Sequence, residues 1–159
     1  MVKTMENSSY IPLVSIIILN WNGEKYIREC LDSVLKTNYP NLEIIVVDNA
    51  SSDRSPEIVK NEYPQVKLIK NKYNLGFSEG NNVGIRQAKG DYIVLLNNDA
   101  VVHKDWISEL LKVAVSDEKI GILGCKVYFR NTNVIQHAGG KIFLKVSYVS
   151  DIGAFEEDK

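Results

Sequence analysis

The stretch LVSIIILNWNGEKYIRECLDSVLKTNYPNLEIIVVDNASSD, residues 13–53, decides the fold. It opens on LVSIIIL (Leu13–Leu19), a nearly unbroken apolar run dominated by Ile and Val, the pattern of a strand buried on both faces. From Glu24 to Thr37 the period changes: Ile27, Leu31, Val34 and Leu35 fall on one helical stripe, with Cys30 beside it. LEIIVV (Leu42–Val47) is a second buried strand and breaks off in DNASSD. Strand, helix and strand at this spacing form a parallel crossover unit.

The alternation continues outward. Arg54 to Glu62 predicts a helix with Pro56 in its first turn, where a missing N–H is harmless, and Pro64 stops it. VKLI (Val66–Ile69) is a third, shorter strand. After the polar loop NKYNLGFSEGNN a helix is expected from Ser78, as N-cap, to Ala88, with Gly90 just past its end. DYIVLL (Asp91–Leu96) predicts a fourth buried strand, and Ile107, Leu110, Leu111 and Ala114 mark a helix beginning near Lys104. Beyond Ile120, ILGCKVYF and KIFLKVSYV read as strands joined by RNTNVIQHAGG. The fold class expected is α/β: a mostly parallel, Rossmann-like sheet with helices on both faces and right-handed crossovers.

Composition agrees and excludes other classes. The 159 residues are 45% hydrophobic and 25% charged, the profile of a globular domain that needs no disulfide or metal staple. Nineteen basic against 20 acidic residues leave a net charge of -1, without the basic footprint of a nucleic-acid binder. Cys30 and Cys125 stand in no CxxC pair, and with His103 and His137 as the only histidines they make no zinc framework; both are expected as reduced interior thiols. MVKTMENSSYIP lacks the apolar stretch of a signal peptide, and no run approaches the ~20 residues that span a bilayer. The expected compartment is the cytoplasm, with peripheral association at the inner face of the membrane as the variant of it.

In such sheets ligands bind outside the carboxyl ends of the strands, where the strand order reverses. The first strand is followed by Asn20, Trp21, Asn22 and Gly23; the second by Asp48, Asn49, Ala50, Ser51, Ser52 and Asp53; the fourth by Asn97, Asn98 and Asp99. Amides and carboxylates can fork onto a base edge or sugar hydroxyls, and Trp21 offers a stacking face. Asp99 suits a hard divalent cation shared with phosphates. Plainer readings stand beside these: Asn and Asp after strands make turns, Trp21 can be core, and Asp53 can cap the helix that follows it. NWNGEK lacks GxGxxG, and Gly76, Gly80 and Gly84 are not followed by GK[ST], so the dinucleotide and phosphate-loop motifs are absent.

Four segments in order, VSIIILNWNG, EIIVVDNASSD, NLGFSEGNNVGI and GDYIVLLNNDAVV, resemble the family 2 glycosyltransferases, inverting enzymes of the GT-A fold. IQHAGG and the NND form are similar to the rhamnosyltransferase-type branch. The resemblance implies a transferase in cell-wall or polysaccharide biosynthesis using a UDP-, dTDP- or GDP-linked sugar, with an unknown glycan, lipid or protein as acceptor. It implies that Trp21 stacks on the donor base, flanked by Asn20 and Asn22, and that Asp48 and Asn49 read the base edge. Asn74, Gly76 and Asn81 would lie beside the donor, Asn81 standing where the family often has Arg. Asn97, Asn98 and Asp99 correspond to the family's DxD motif, and the retained carboxylate, Asp99, would hold Mg2+ or Mn2+ against the diphosphate.

The family's general base, an acidic residue further downstream, has no match here, because the closing EED (Glu156–Asp158) lacks its surroundings. The expectation is therefore an N-terminal tail over residues 1–11, disordered or extended, and a single domain over 12–159 that is incomplete at its C-terminus. The apolar residues Ile142, Phe143, Leu144, Val146, Tyr148 and Val149 would then fray or pair with a second copy of the chain. His137, before Gly139 and Gly140, lines the mouth of the site or is an exposed loop histidine. A non-catalytic module that binds a nucleotide sugar is the alternative to an enzyme.

Overall fold

In a computed structural model, residues 10–143 and 148–158 are described. The chain divides into two compact units, one ending at Ser108 and the other beginning at Glu109. The first unit holds strands β1 (Val14–Asn20), β2 (Leu42–Asp48), β3 (Lys67–Lys70) and β4 (Tyr92–Asn97), alternating with helices α1 (Ile27–Leu35), α2 (Ser55–Glu62) and α3 (Gly76–Ile85). Helix α4 (Trp106–Ala114) begins in the first unit and ends in the second.

The strands form one parallel sheet in the order β3-β2-β1-β4, as the alternation of strand and helix requires. Connections from β1 and β2 step one way along the sheet, whereas the connection through α3 carries the chain back past β1 to β4. The order therefore reverses between β1 and β4, and the right-handed crossover rule puts α3 on the face opposite α1 and α2. Packing agrees. Ile17, Ile45 and Val47 on one face meet Val83 and Ile85 of α3, while Ile16, Ile18 and Val46 on the other are fully buried, as are Ile27, Leu31, Val34 and Val59 of α1 and α2.

Two expectations change. Strand β4 is not buried on both faces: Ile93 and Leu95 are 45% and 49% exposed. The cause is its position at the sheet edge, where Ile93 and Leu95 share a face with Ser15 and Ile17. Ser78 is not an N-cap but lies inside α3, which starts at Gly76. The start is set earlier because Asn74 Oδ1 accepts the Gly76 amide and Asn49 Oδ1 accepts the Leu75 amide.

The second unit contains two antiparallel pairs, β5 (Val127–Tyr128) with β6 (Ile135–His137) and β7 (Gly140–Phe143) with β8 (Tyr148–Asp151). The expected strand KIFLKVSYV is thus a pair of strands, and part of the expected connection, IQH, is itself a strand. Phe129 stacks on Phe155 at 5.5 Å, and Lys126 pairs with Asp158 at 2.7 Å. Cys125 is exposed rather than interior, in a stretch without regular structure after α4. The expectations for residues 1–9 and for the apolar side chains from Ile142 to Val149 lie outside the described residues. Among the described residues no helix is long and apolar enough to cross a membrane.

Helix α3 approaches the sheet through Gly84, where a Cβ would stand 2.5 Å from Ile17 Cγ2 and 3.0 Å from Val47 Cγ2. Gly84→Val overpacks this contact and is expected to lower stability by about 1–3 kcal/mol. Urea unfolding of parent and variant measures it; equal midpoints would show that α3 can move away at no cost.

Candidate functional site

Parallel register sets the carboxyl ends of the strands level with one another. Asn20 at the end of β1 lies opposite Asp48 at the end of β2, and Leu19 lies opposite Asn97, so Asn98 falls level with Asn20 on its other side. Their side chains form a hydrogen-bonded row. The two hydrogens of Asn20 Nδ2 are shared among Asp48 Oδ1 at 3.2 Å, Ser51 Oγ at 3.2 Å and Ser55 Oγ at 2.8 Å, and Asn20 Oδ1 accepts Asn98 Nδ2 at 3.0 Å. Asn20, Asp48, Asn49 and Ser55 are buried, and among the described residues no buried side-chain nitrogen or oxygen lacks a partner. An unsatisfied group here would cost about 1–3 kcal/mol, so the row is held as a unit.

Above the row, the loops after β1 and β2 clasp each other. Asn22 N donates to Ser51 Oγ, and Asn22 Oδ1 accepts Ser52 N at 2.8 Å. Asp53 accepts the backbone amides of Glu24 at 2.8 Å and Ser55 at 3.0 Å, besides the Ser55 hydroxyl, while Glu24 pairs with Arg54. Asp53 is therefore not the N-cap, a position that Arg54 holds, but from one residue earlier it accepts the first amide of α2 and ties down the neighbouring loop as well. Asn22 and Ala50 take left-handed backbone conformations, φ 52° and 61°, at the two turns. Trp21 rides on this clasp and is 57% exposed, so the core reading of that residue is set aside.

Asn49 reaches the third strand end. Its amide donates to Asn74 Oδ1 at 2.8 Å and to the Gly76 carbonyl at 3.1 Å, and its oxygen accepts from Asn71 and from the Leu75 amide. Both functions of the amide are spent on the 71–76 loop, and Asn74 is bound into the same arrangement. Asn81 faces inward, donating to the Phe77 carbonyl one turn back at 2.9 Å. Tyr73 and Phe77 are exposed on this loop and the helix it starts. Sequence reasoning passed over both, because a single aromatic in or just after a polar loop carries no periodic signal of exposure.

Asp99 follows β4 in a turn closed by the Ala100 amide and the Asn97 carbonyl at 3.2 Å, and Val102 N is fixed to Ser33 Oγ on α1. Cys30 Sγ donates to the same Asn97 carbonyl at 3.6 Å. Burial, together with the negative charge of Asp99, pushes the Cys30 thiol up to about 12, so it is a neutral packing group. Asp99 is exposed and accepts no hydrogen bond from the described residues. Among the described residues no group of three or more His, Cys, Asp or Glu could cage a metal ion. One exposed carboxylate, preceded in sequence by two asparagines, fits a hard cation whose remaining ligands come from a diphosphate and water, and does not fit a resident structural metal. His137, opposite Val127 on β6, belongs to the second unit and is exposed.

A family model described as glycosyl transferase family 2 matches residues 15–152. A protein of Haemophilus influenzae, called an uncharacterized glycosyltransferase, is 36% identical over 124 residues, covering 76% of this chain and 37% of that one. The mannosyltransferase PcManGT from Pyrobaculum calidifontis, solved with GDP-Man and Mn2+, superimposes with a TM-score of 0.65 at 29% identity, covering 71% of this chain and 35% of that one. S. aureus TarS in complex with UDP-GlcNAc gives 0.60 at 28% identity, over 64% of this chain and 31% of that one. These neighbours are GT-A glycosyltransferases, and the sheet is of that fold. The chain spans little more than a third of the length of the curated relatives it matches first.

The clasp has a pH signature. Burial would raise the Asp53 carboxyl, but the Ser55 hydroxyl and the Glu24 and Ser55 amides outweigh it and hold it below its ordinary 3.8. Its contribution is therefore full above pH 3.8 and disappears as pH falls through the lower, folded value. Asp53→Ala is expected to lose about 1–2 kcal/mol of stability at pH 7, and the difference from the parent should shrink below pH 3.8. Urea titrations at a series of pH values decide it; a pH-independent difference would assign the loss to packing.

Proposed function

The chain belongs to glycosyl transferase family 2, and on that premise we propose that it carries the donor- and metal-binding half of an enzyme that transfers a sugar from a nucleoside diphosphate to an acceptor hydroxyl with inversion. The observation that carries the reading is the hydrogen-bonded row Asn98–Asn20–Asp48, with Asn20 and Asp48 buried and Asn98 half-buried, at the point where strand order reverses, with exposed Asp99 directly after it. PcManGT with GDP-Man and Mn2+ and TarS with UDP-GlcNAc support a nucleotide-sugar donor of this kind.

The residues divide the work. Trp21, presented by the clasped loops, offers its indole face to the base, a contact worth roughly 1–3 kcal/mol where such stacking is measured. Asp48 and Asn49 shape the base end of the site, Asn49 by fixing the loop that contains Asn74 and Gly76. Asp99, with Asn97 and Asn98 preceding it, would hold Mg2+ or Mn2+. When bound, the cation neutralises charge on the departing nucleoside diphosphate. The acceptor hydroxyl then attacks the anomeric carbon from the side opposite the phosphate, its proton passing to a carboxylate outside this half. Asp158 is committed to Lys126 and Tyr128, which argues against that member of the acidic trio as the base.

Calorimetry with UDP, dTDP and GDP, each with and without Mn2+, tests the reading. Asp99→Asn is expected to weaken Mn2+-dependent nucleotide binding at least about tenfold, as loss of the one charged ligand requires, while the thermal midpoint stays near the parent's. Equal Mn2+-dependent affinity in variant and parent would remove Asp99 from the metal site. Binding without transfer in the full-length protein would favour the non-catalytic module.

A further inference from the structure

Asn20 has no exposed surface, yet its amide is the junction of three strand ends. Which way that amide faces is fixed twice over. Asp48 Oδ1 is a carboxylate oxygen and can only accept. Ser55 gives its hydroxyl proton to Asp53, so Ser55 Oγ must also accept from Asn20. The amino end of Asn20 therefore faces β2 and α2, and its oxygen faces β4. That oxygen can bind only a donor, which turns the amino end of Asn98 inward and leaves Asn98 Oδ1 on the far side of its amide. The next residue is Asp99.

Gly23 supplies an independent sign that this bond is built for. A Cβ at Gly23 would lie 2.2 Å from Asn20 Oδ1 and 2.3 Å from Asn98 Nδ2. The glycine leaves the space through which the two amides meet, and its carbonyl begins α1 by accepting the Tyr26 and Ile27 amides at 2.9 Å. The bond joins residues 78 positions apart and borders the turn that contains Asp99.

We propose that Asn20 is a positioning residue that relays the polarity of Asp48 and Ser55 to Asn98, so that Asn98 Oδ1 stands beside Asp99 as a second, uncharged oxygen ligand for the cation and diphosphate. This rests on the reading of Asp99 as the metal residue. Asn20 touches neither donor nor metal; it acts through Asn98. A carboxylate at position 98 would oppose Asn20 Oδ1, oxygen against oxygen, so the amide at 98 and the amide at 20 are a matched pair.

Three variants of the full chain test it: Gly23→Ala, which wedges the pair apart; Asn98→Ala, which removes the oxygen together with the donor to Asn20 Oδ1, so that its thermal midpoint is read beside its affinity; and Asp99→Asn. The measurements are UDP affinity with and without Mn2+, the thermal midpoint, and hydrogen exchange of the Asn98 side-chain NH2 by 15N NMR. In the parent the Asn98 NH2 should exchange slowly. Gly23→Ala should lose that protection, and both it and Asn98→Ala should weaken Mn2+-dependent UDP binding about tenfold or more, leaving metal-free affinity unchanged, the size of effect seen when ligand-orienting partners are removed. Parent-like Mn2+-dependent affinity in Asn98→Ala overturns the proposal, as does parent-like affinity in Gly23→Ala after the NH2 protection is lost. Asp99→Asn separates the two readings: if it too leaves Mn2+ dependence intact, the metal assignment has failed, and if it alone removes the dependence, only the relay has.

Discussion

The amide of Asn20, sealed beneath the carboxyl ends of three strands, is the constraint on which the rest of the site depends. An amide in the interior is stabilising only when its donors and its acceptor are all matched, since each unmatched group costs about as much as several good contacts return. Here the matches come from β2, α2 and β4, so the hydrogen bonds hold only if all three elements arrive at the same level. Parallel pairing provides that level, and the bonds in turn fix the loops that leave it.

Those loops are tied to one another rather than to the sheet alone. Asn22 with Ser51 and Ser52, and Glu24 with Asp53 and Arg54, link the chain after β1 to the chain after β2, while Asn49 holds the loop after β3. Exposed aromatics, Trp21 and Tyr73, are carried on this framework. A flat side chain on a fixed loop gives up little further freedom when a flat ligand settles on it, which makes exposure an asset here rather than a cost.

The fold was legible because burial writes a period into a strand or a helix, and the strand ends were legible because the apolar runs stop there in polar clusters. What a period cannot report is whether a neighbour arrives. Tyr92 to Asn97 has the apolar content of an inner strand, yet β4 lies at the edge and Ile93 and Leu95 are uncovered. Nor does it report the direction of a side chain in a loop. Asn74 and Asn81 come from the same polar segment, but one meets Asn49 and the other turns back on its own helix. Gly23 carried no signal of its own in the sequence, because Asn20 and Asn98 come together beside it only after the sheet has formed. The second unit was least legible, since strands as short as β5 and β6 carry too few residues for any period to show.

Amides at the positions where the family resemblance implies a DxD motif move the burden from charge to orientation. Two unit charges about 4 Å apart at an effective dielectric of 20 interact by about 4 kcal/mol, so each carboxylate facing a diphosphate must be offset by a cation. Directly after β4 this chain exposes one such carboxylate, Asp99, and Asn97 and Asn98 precede it in sequence. An amide oxygen can ligate without adding to that repulsion, but an amide turned the wrong way offers a donor to the metal instead. A carboxylate needs no such control, having two equivalent oxygens. The lower charge is therefore usable only where something fixes which end of the amide is presented, and in this fold that is a matter of packing: a buried asparagine read by a carboxylate and a serine, and a glycine that leaves room for it.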